Sequence, residues 1–310
     1  MADDFIGLSE LVKINDQNLA DDRSISDLLQ DAPLLRNLVA DIASNGTKHE
    51  YLKQTGAPVV GFRSPNVGLD NDHSEDTKVS IDLKILDASF GVDKALAEAY
   101  TKGGPEAFIG REAMRQLRAA FFMAEQQFIN GTNNDGSGFN GLADSLSALS
   151  DTMVVDAGGS SNLSSVYGVR STADFDNAVA ITGQDGRIDV GESVVTKLTD
   201  ANGKHYTGFW TPIQGWLGLQ IGSKFSVGRL ANIDDGSNTV TDDLLATLLE
   251  QFPAQRMPTR WVMNRRSQRQ LQQSRTATNT TGAPAPFPTE AFNIPILVDD
   301  AIGNSESAVS

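Results

Sequence analysis

The chain has 310 residues, enough to bury one large core or two small ones, so nothing requires disulfides or metal ions to hold it together. It contains no cysteine, which excludes disulfide frameworks, thiolate zinc sites, thiol nucleophiles and iron–sulfur clusters. Lys and Arg total 25 against 40 Asp and Glu, a net charge of -15 that argues against tight phosphate-backbone binding, and no apolar run reaches the ~18 residues of a bilayer span.

Residues 1 to 50 are acidic, with amphipathic stretches around Ile6 to Ile14 and Ile25 to Ile42. In the second, Leu28, Leu29, Leu34, Leu35 and Leu38 recur at helical spacing, which predicts an arm of short helices. Next come an apolar run, Val59 to Phe62, and a tip of turn formers and charge from Ser64 to Asp72. The following segment alternates, with Val79, Ile81, Leu83 and Ile85 on one face and Lys78, Ser80, Asp82 and Lys84 on the other. That is the pattern of a half-buried strand, and the pieces together predict a long antiparallel hairpin with a polar end.

Gly103-Gly104 and Pro105 open a run to Ile129 in which Ala113, Leu117, Ala120, Phe121, Ala124 and Phe128 fall at three- and four-residue steps, before Asn130-Gly131 supplies a stop. This predicts a helix of about 25 residues, roughly 37 Å long. A glycine-rich turn, 131 to 141, follows, and a second helix is expected near Thr172 to Ala180. From Val194 to Ile233 the composition turns to strands: Lys204 to Trp210, Trp216 to Ile221 and Phe225 to Leu230. Thr241-Asp242 caps a helix through Phe252, Arg260 to Met263 is a short strand, Asn264 caps a helix through Leu271, and Ile294 to Val298 is the last strand. Helices and strands that do not alternate regularly make the fold class α+β.

Motifs with a chemical appearance have plainer explanations. Gly136, Gly138 and Gly141 match GxGxxG, but a long helix precedes them where a dinucleotide site needs a strand, so they read as a loop. Asn133, Asp135 and Gly136 resemble the middle of a calcium loop whose first and twelfth positions would fall on Gly131 and Leu142, which offer no carboxylate. His49, His73 and His205 stand in the arm, the loop tip and a strand, outside any catalytic signature. The pairs Asp242-Asp243 and Asp299-Asp300 read as solvated surface or helix N-terminal charge rather than acid/base dyads. Arg265, Arg266, Arg269 and Arg275, with Arg256 and Arg260, form the one basic cluster, which could meet phosphate or a neighbouring acidic subunit; the overall negative charge favours a protein–protein salt-bridge role. The expectation is therefore no catalytic residues, no cofactor and no metal.

The order of acidic arm, long hairpin, long helix, glycine turn, sheet, helix-strand-helix and last strand resembles the Hong Kong 97 fold of tailed-phage coat proteins. Sequence carries the resemblance too: FINGTNNDGSGFNGLAD (128 to 144) looks like the exit of that family's spine helix. GWLGLQIGSKFSVGRLANID (215 to 234), LLATLLEQFP with TRWVMNRRSQRQL (244 to 271) and FNIPILVDDAIGNSESAV (292 to 309) are similar to its podovirus, epsilon-fifteen-like branch.

The resemblance implies an N-terminal arm (1-50), an extended E-loop hairpin (51-90), the spine helix with the start of the peripheral domain (91-160), and an axial domain with the rest of the peripheral domain (161-310). It also implies a C-terminus close to complete and scaffolding, if used, as a separate protein. The function implied is a major capsid protein that self-assembles into pentamers and hexamers of an icosahedral head, made in a bacterial cytoplasm and enclosing double-stranded DNA without gripping it. Portal, scaffolding and decoration proteins are the implied partners, and no membrane is involved. Lys78 and Lys84 lie in the hairpin, but no matching acceptor phrase is present, so no covalent cross-link is expected. The alternative of the same fold is an encapsulin-like nanocompartment shell, and an enzyme of unknown class is the remaining reading.

Overall fold

The computed structural model describes residues 31–69, 73–174, 176–183, 188–277, 279 and 283–310. The expected amphipathic segment Ile6 to Ile14 lies outside the described residues. In chain order the strands are β1 (Val39–Ile42), β2 (Lys48–Gly56), β3 (Glu75–Asp82), β4 (Lys84–Asp87), β5 (Phe90–Asp93), β6 (Val154–Asp156), β7 (Ser164–Val169) and β8 (Ala178–Thr182). They continue with β9 (Asp189–Val190), β10 (Val194–Thr199), β11 (His205–Thr211), β12 (Ile213–Ile221), β13 (Val227–Ile233), β14 (Arg260–Met263), β15 (Glu290–Ala291) and β16 (Ile294–Val298). The helices are α1 (Lys94–Glu98), α2 (Gly104–Asn130), α3 (Leu142–Ser145), α4 (Asp242–Glu250) and α5 (Arg265–Ala277). The described residues form two compact units, Ile85–Gln126 with Arg187–Trp216, and Pro33–Lys84 with Gln127–Gly186 and Leu217–Ser310.

The first unit holds the antiparallel sheet β10-β11-β5 and most of α2. Its core is Phe90, Val92, Ala97, Tyr100, Phe108, Ile109 and Ile213, with Leu117 and Phe209 packed against it. Gly103 and Gly104 take φ of 99° and 75°, left-handed values that let the chain turn sharply into α2, and Gly131 at φ 57° ends it. The helix thus runs one residue beyond each expected end.

The second unit is built on a six-stranded sheet in the order β15-β16-β14-β7-β13-β6. Its central strands β7 and β13 are buried along their whole length, as strands covered on both faces should be. Trp261 of β14 is completely buried, and its indole N–H donates to the Ala291 carbonyl at 3.1 Å. Gly168 of β7 leaves room for that ring: a Cβ there would stand 2.9 Å from it. Thr241 caps α4 by accepting from Leu244 N–H, and Asn264 caps α5 by accepting from Ser267 N–H, so both expected caps are present. The helix α5 continues to Ala277 rather than stopping at Leu271.

Three expectations are corrected. The segment expected as a helix from Thr172 to Ala180 is a turn leading into β8, which lies between β1 and β12. The Asn177 side-chain amide donates to the Thr172 carbonyl at 3.2 Å, a local bond that competes with helix formation, and the buried Val179 and Ile181 suit a strand. The amphipathic stretch to Ile42 does not end as a helix either: Val39–Ile42 is β1, parallel to β8 in the register Val39↔Val179. Finally, the outgoing hairpin strand is Lys48–Gly56, upstream of the Val59 to Phe62 run, and it places His49 in β2 rather than in an arm.

Candidate assembly surface

The hairpin β2–β3 is a two-stranded sheet paired antiparallel from Lys48↔Asp82 to Gly56↔Glu75. Alternation assigns its faces. His49 opposite Ile81 and Tyr51 opposite Val79 form the inner face, where His49 is buried and the Tyr51 hydroxyl donates to the Ile221 carbonyl at 3.2 Å. Burial pushes the Tyr51 hydroxyl above its ordinary pKa. On the outer face Lys48 pairs with Asp82 at 3.2 Å and Lys78 with Glu50 at 2.6 Å. These exposed pairs fix register and add little stability.

Beyond Gly56 the chain leaves the sheet, and every residue from 57 to 69 is exposed. Ser64-Pro65-Asn66-Val67 closes a turn in which Val67 N–H donates to the Ser64 carbonyl at 3.2 Å. Pro65 suits its second position, and Asn66, at φ 65°, tolerates the left-handed third. Around this turn stand Val59, Val60 (87% exposed), Phe62 (fully exposed), Val67 and Leu69, with Leu52 on the stem. Burying one such side chain is worth about 1.5–3 kcal/mol, and a two-stranded hairpin is marginal by itself. A run of exposed apolar side chains held out on a paired stem is what an interaction surface looks like.

The residues singled out by their chemistry are structural. Asp144 ties the glycine turn together by accepting from Thr132 N–H at 2.8 Å, Gly141 N–H at 3.0 Å and the Thr132 hydroxyl at 2.7 Å. Asp135 turns the loop by accepting from Ser137 N–H, and Gln127 packs on Gly138, so Gly136, Gly138 and Gly141 serve a turn. His73 lies in the exposed hairpin loop, and Nδ1 of His205 in β11 is 3.1 Å from the Thr199 hydroxyl. Among the described residues no group of three His, Asp or Glu side chains could hold a metal ion, and no helix is long and apolar enough to cross a membrane.

Much of the basic cluster is engaged within the chain, at the surface of the subunit. Arg275 makes a two-pronged pair with Asp242, both contacts at 2.7 Å, which raises its pKa further, and Arg256 meets Asp176 at 3.1 Å. Arg266 donates to the Asn162 and Ile233 carbonyls and the Ser164 hydroxyl, and Arg265 lies over the Phe287 ring. Asp242 and Asp243 carry the expected helix N-terminal charge, but Asp299 is fully buried, accepting from Ala301 N–H at 2.9 Å, rather than solvated.

A network that sequence reasoning missed anchors the C-terminal segment. Arg229 of β13 reaches Glu306 at 2.9 Å, the Ser165 hydroxyl at 2.9 Å and the Leu146 carbonyl at 3.0 Å, with its guanidinium over the Tyr167 ring. Asn232 both donates to the Val309 carbonyl and accepts from Val309 N–H. A lone Arg inside an apolar strand, VGRLANI, was the available signal.

This architecture is that of tailed-phage capsid subunits, as two solved structures demonstrate. A chain from the cryo-EM structure of bacteriophage epsilon15 superposes with a TM-score of 0.72 at 20% identity, covering 98% of this chain and 97% of that one. The bacteriophage JBD30 capsid matches with a TM-score of 0.53 at 11% identity, covering 94% of this chain and 98% of that one. The SrpI encapsulin of Synechococcus elongatus PCC 7942 is more distant, with a TM-score of 0.45 at 11% identity over 69% of this chain and 93% of that one. At these identities the likeness establishes fold alone. No curated protein sequence matches the chain. Residues 17–310 match the family model of the major capsid protein GP7, and the chain belongs to that family. It is a phage capsid protein of the Hong Kong 97 type, and its place is the virion shell.

Proposed function

We propose that this subunit builds the icosahedral head of a tailed phage by closing pentamers and hexamers of itself around a double-stranded DNA genome, and that it catalyses no reaction. The observation that carries this reading is the hairpin, whose exposed apolar segment, Val59 to Leu69, needs cover that a neighbouring subunit supplies. Individually weak contacts suffice, because closed symmetry repeats each one many times.

Within the subunit, the residues before Lys48 act as the N-terminal arm, and the hairpin, which opens at Lys48 rather than at 51, acts as the extended loop whose tip is laid over a neighbour. Residues 91-160 are the spine helix with the start of the peripheral domain, and 161-310 are the axial domain with the remainder of the peripheral one. Scaffolding, portal and decoration proteins are the candidate partners of such a shell. The net charge of -15 supports a wall that repels packaged DNA rather than holding it.

Negative-stain electron microscopy of the concentrated protein, alone and co-expressed with its genomic neighbours, tests the reading. Closed shells or capsomer rings support it, and small particles under every condition overturn it. Nuclease-protected DNA in shells purified from infected cells separates a genome container from a protein-cargo compartment.

A further inference from the structure

The turn between β15 and β16 has two residues, Phe292 and Asn293, flanked by the pairs Ala291↔Ile294 and Glu290↔Pro295. Both take positive φ, 55° and 60°, as a two-residue hairpin loop of the type I′ class requires. Asparagine adopts that conformation readily, and Gly, Asn or Asp ordinarily occupies the first position as well. Phenylalanine does not: its Cβ crowds the backbone in the left-handed region, so its presence costs the folded subunit stability. Burial within the chain recovers only part of this cost, since Phe292 remains 44% exposed, and it makes no ring contact with another aromatic or cationic side chain among the described residues. Directly beneath it, the Ala291 carbonyl is held by the buried Trp261 indole, so the turn projects from a rigid base. An outlier of this kind, with an aromatic ring presented outward at the expense of backbone comfort, points to a use for the ring outside its own chain.

We propose that Phe292 is an assembly contact, a rigidly presented ring that becomes buried against a second copy of this chain when subunits join. The inference rests on the reading of the chain as a shell subunit, which supplies the second copy as occupant. Stability of the lone subunit and strength of assembly then pull in opposite directions at this position, which a merely decorative or core residue would not show.

The test uses the full chain with Phe292→Gly, Phe292→Ala and Phe292→Tyr. Two readouts are needed: the Tm of the unassembled subunit, and the fraction of protein in shells or capsomers on a density gradient at matched concentration. Phe292→Gly should raise subunit Tm by about 2 °C while lowering the assembled fraction at least about tenfold. Phe292→Ala, which keeps the strained conformation but removes the ring, should assemble as poorly without the gain in Tm, and Phe292→Tyr should assemble like the parent. Wild-type assembly of Phe292→Gly overturns the contact, as does a lowered subunit Tm in both Phe292→Gly and Phe292→Ala, which would make the ring part of its own core. If the unsubstituted chain itself never assembles, the shell reading fails and this contact falls with it.

Discussion

Replacing Arg229 by Met removes one half of an ion pair whose side chains are only 6% and 14% exposed. The substitution keeps most of the side-chain volume, so packing changes little while Glu306 loses its countercharge and keeps the Ser165 hydroxyl, which donates to it at 2.6 Å. Breaking a buried pair from one side costs about 3–5 kcal/mol, because the remaining carboxylate is stranded in a low-dielectric site. The Leu146 carbonyl also loses its donor, which pushes the expectation toward the middle or upper part of that range, about 4 kcal/mol. Urea titration of the unassembled subunit, followed by far-UV circular dichroism, reads this directly as a displaced midpoint. The companion variant Arg229→Met with Glu306→Gln buries no net charge and should recover about 2 kcal/mol of the loss. A single variant that loses under about 1 kcal/mol, or a double variant no more stable than the single, would refute the claim that this pair anchors the C-terminal segment.

Val60→Ser with Phe62→Ser should leave the Tm of the unassembled subunit within about 1 °C of the parent, because both side chains are already in water, yet reduce shells on a density gradient to near none. Gly168→Ala should destabilise the subunit by about 1–3 kcal/mol in the same urea titration, since the new methyl meets the Trp261 ring at 2.9 Å and that ring has nowhere to move. Burial pushes the Tyr167 hydroxyl well above the usual tyrosine range, against the opposing pull of Arg229. Its folded pKa is raised, so this contribution is fully present below the unfolded value near ~10 and falls away as pH climbs above it, by up to about 1.4 kcal/mol per pH unit. Thermal melts between pH 9 and 11 of the parent and of Tyr167→Phe (about that range suffices) should show a shallower alkaline decline in the variant; parallel declines would count against the assignment.

Legibility followed the range of the interactions involved. The helix α2 was readable because a three-and-four periodicity, a Gly-Gly-Pro start and an Asn-Gly stop all lie within one stretch of chain. The run from β14 into α5 was readable for the same reason, with Asn264 marking its own cap. Side-chain alternation in β3 gave the returning hairpin strand, but its partner was misplaced: Val59 to Phe62 has strand-like composition and, among the described residues, no opposing strand, since β3 begins at Glu75. An apolar run left without a partner becomes exposed surface, and that surface is the one we propose for assembly.

Amino-acid order alone therefore determined the α+β class, the long helix, the capped elements, the absence of thiol chemistry and, through its resemblance to tailed-phage coat proteins, the kind of object this chain helps to build. Tertiary structure decided what depends on partners distant in sequence. It made Val39–Ile42 a strand because β8, some 140 residues on, lies parallel to it, and it made Ala178–Thr182 a strand because β1 and β12 flank it. It paired Arg275 with Asp242, Arg256 with Asp176 and Arg266 with backbone carbonyls, and it set Arg229 against Glu306. The physical reason is common to all of these. Periodicity and capping are written in neighbouring residues, whereas which amphipathic segment pairs with which, and which charge finds a countercharge, is settled only when the folded chain brings remote segments together.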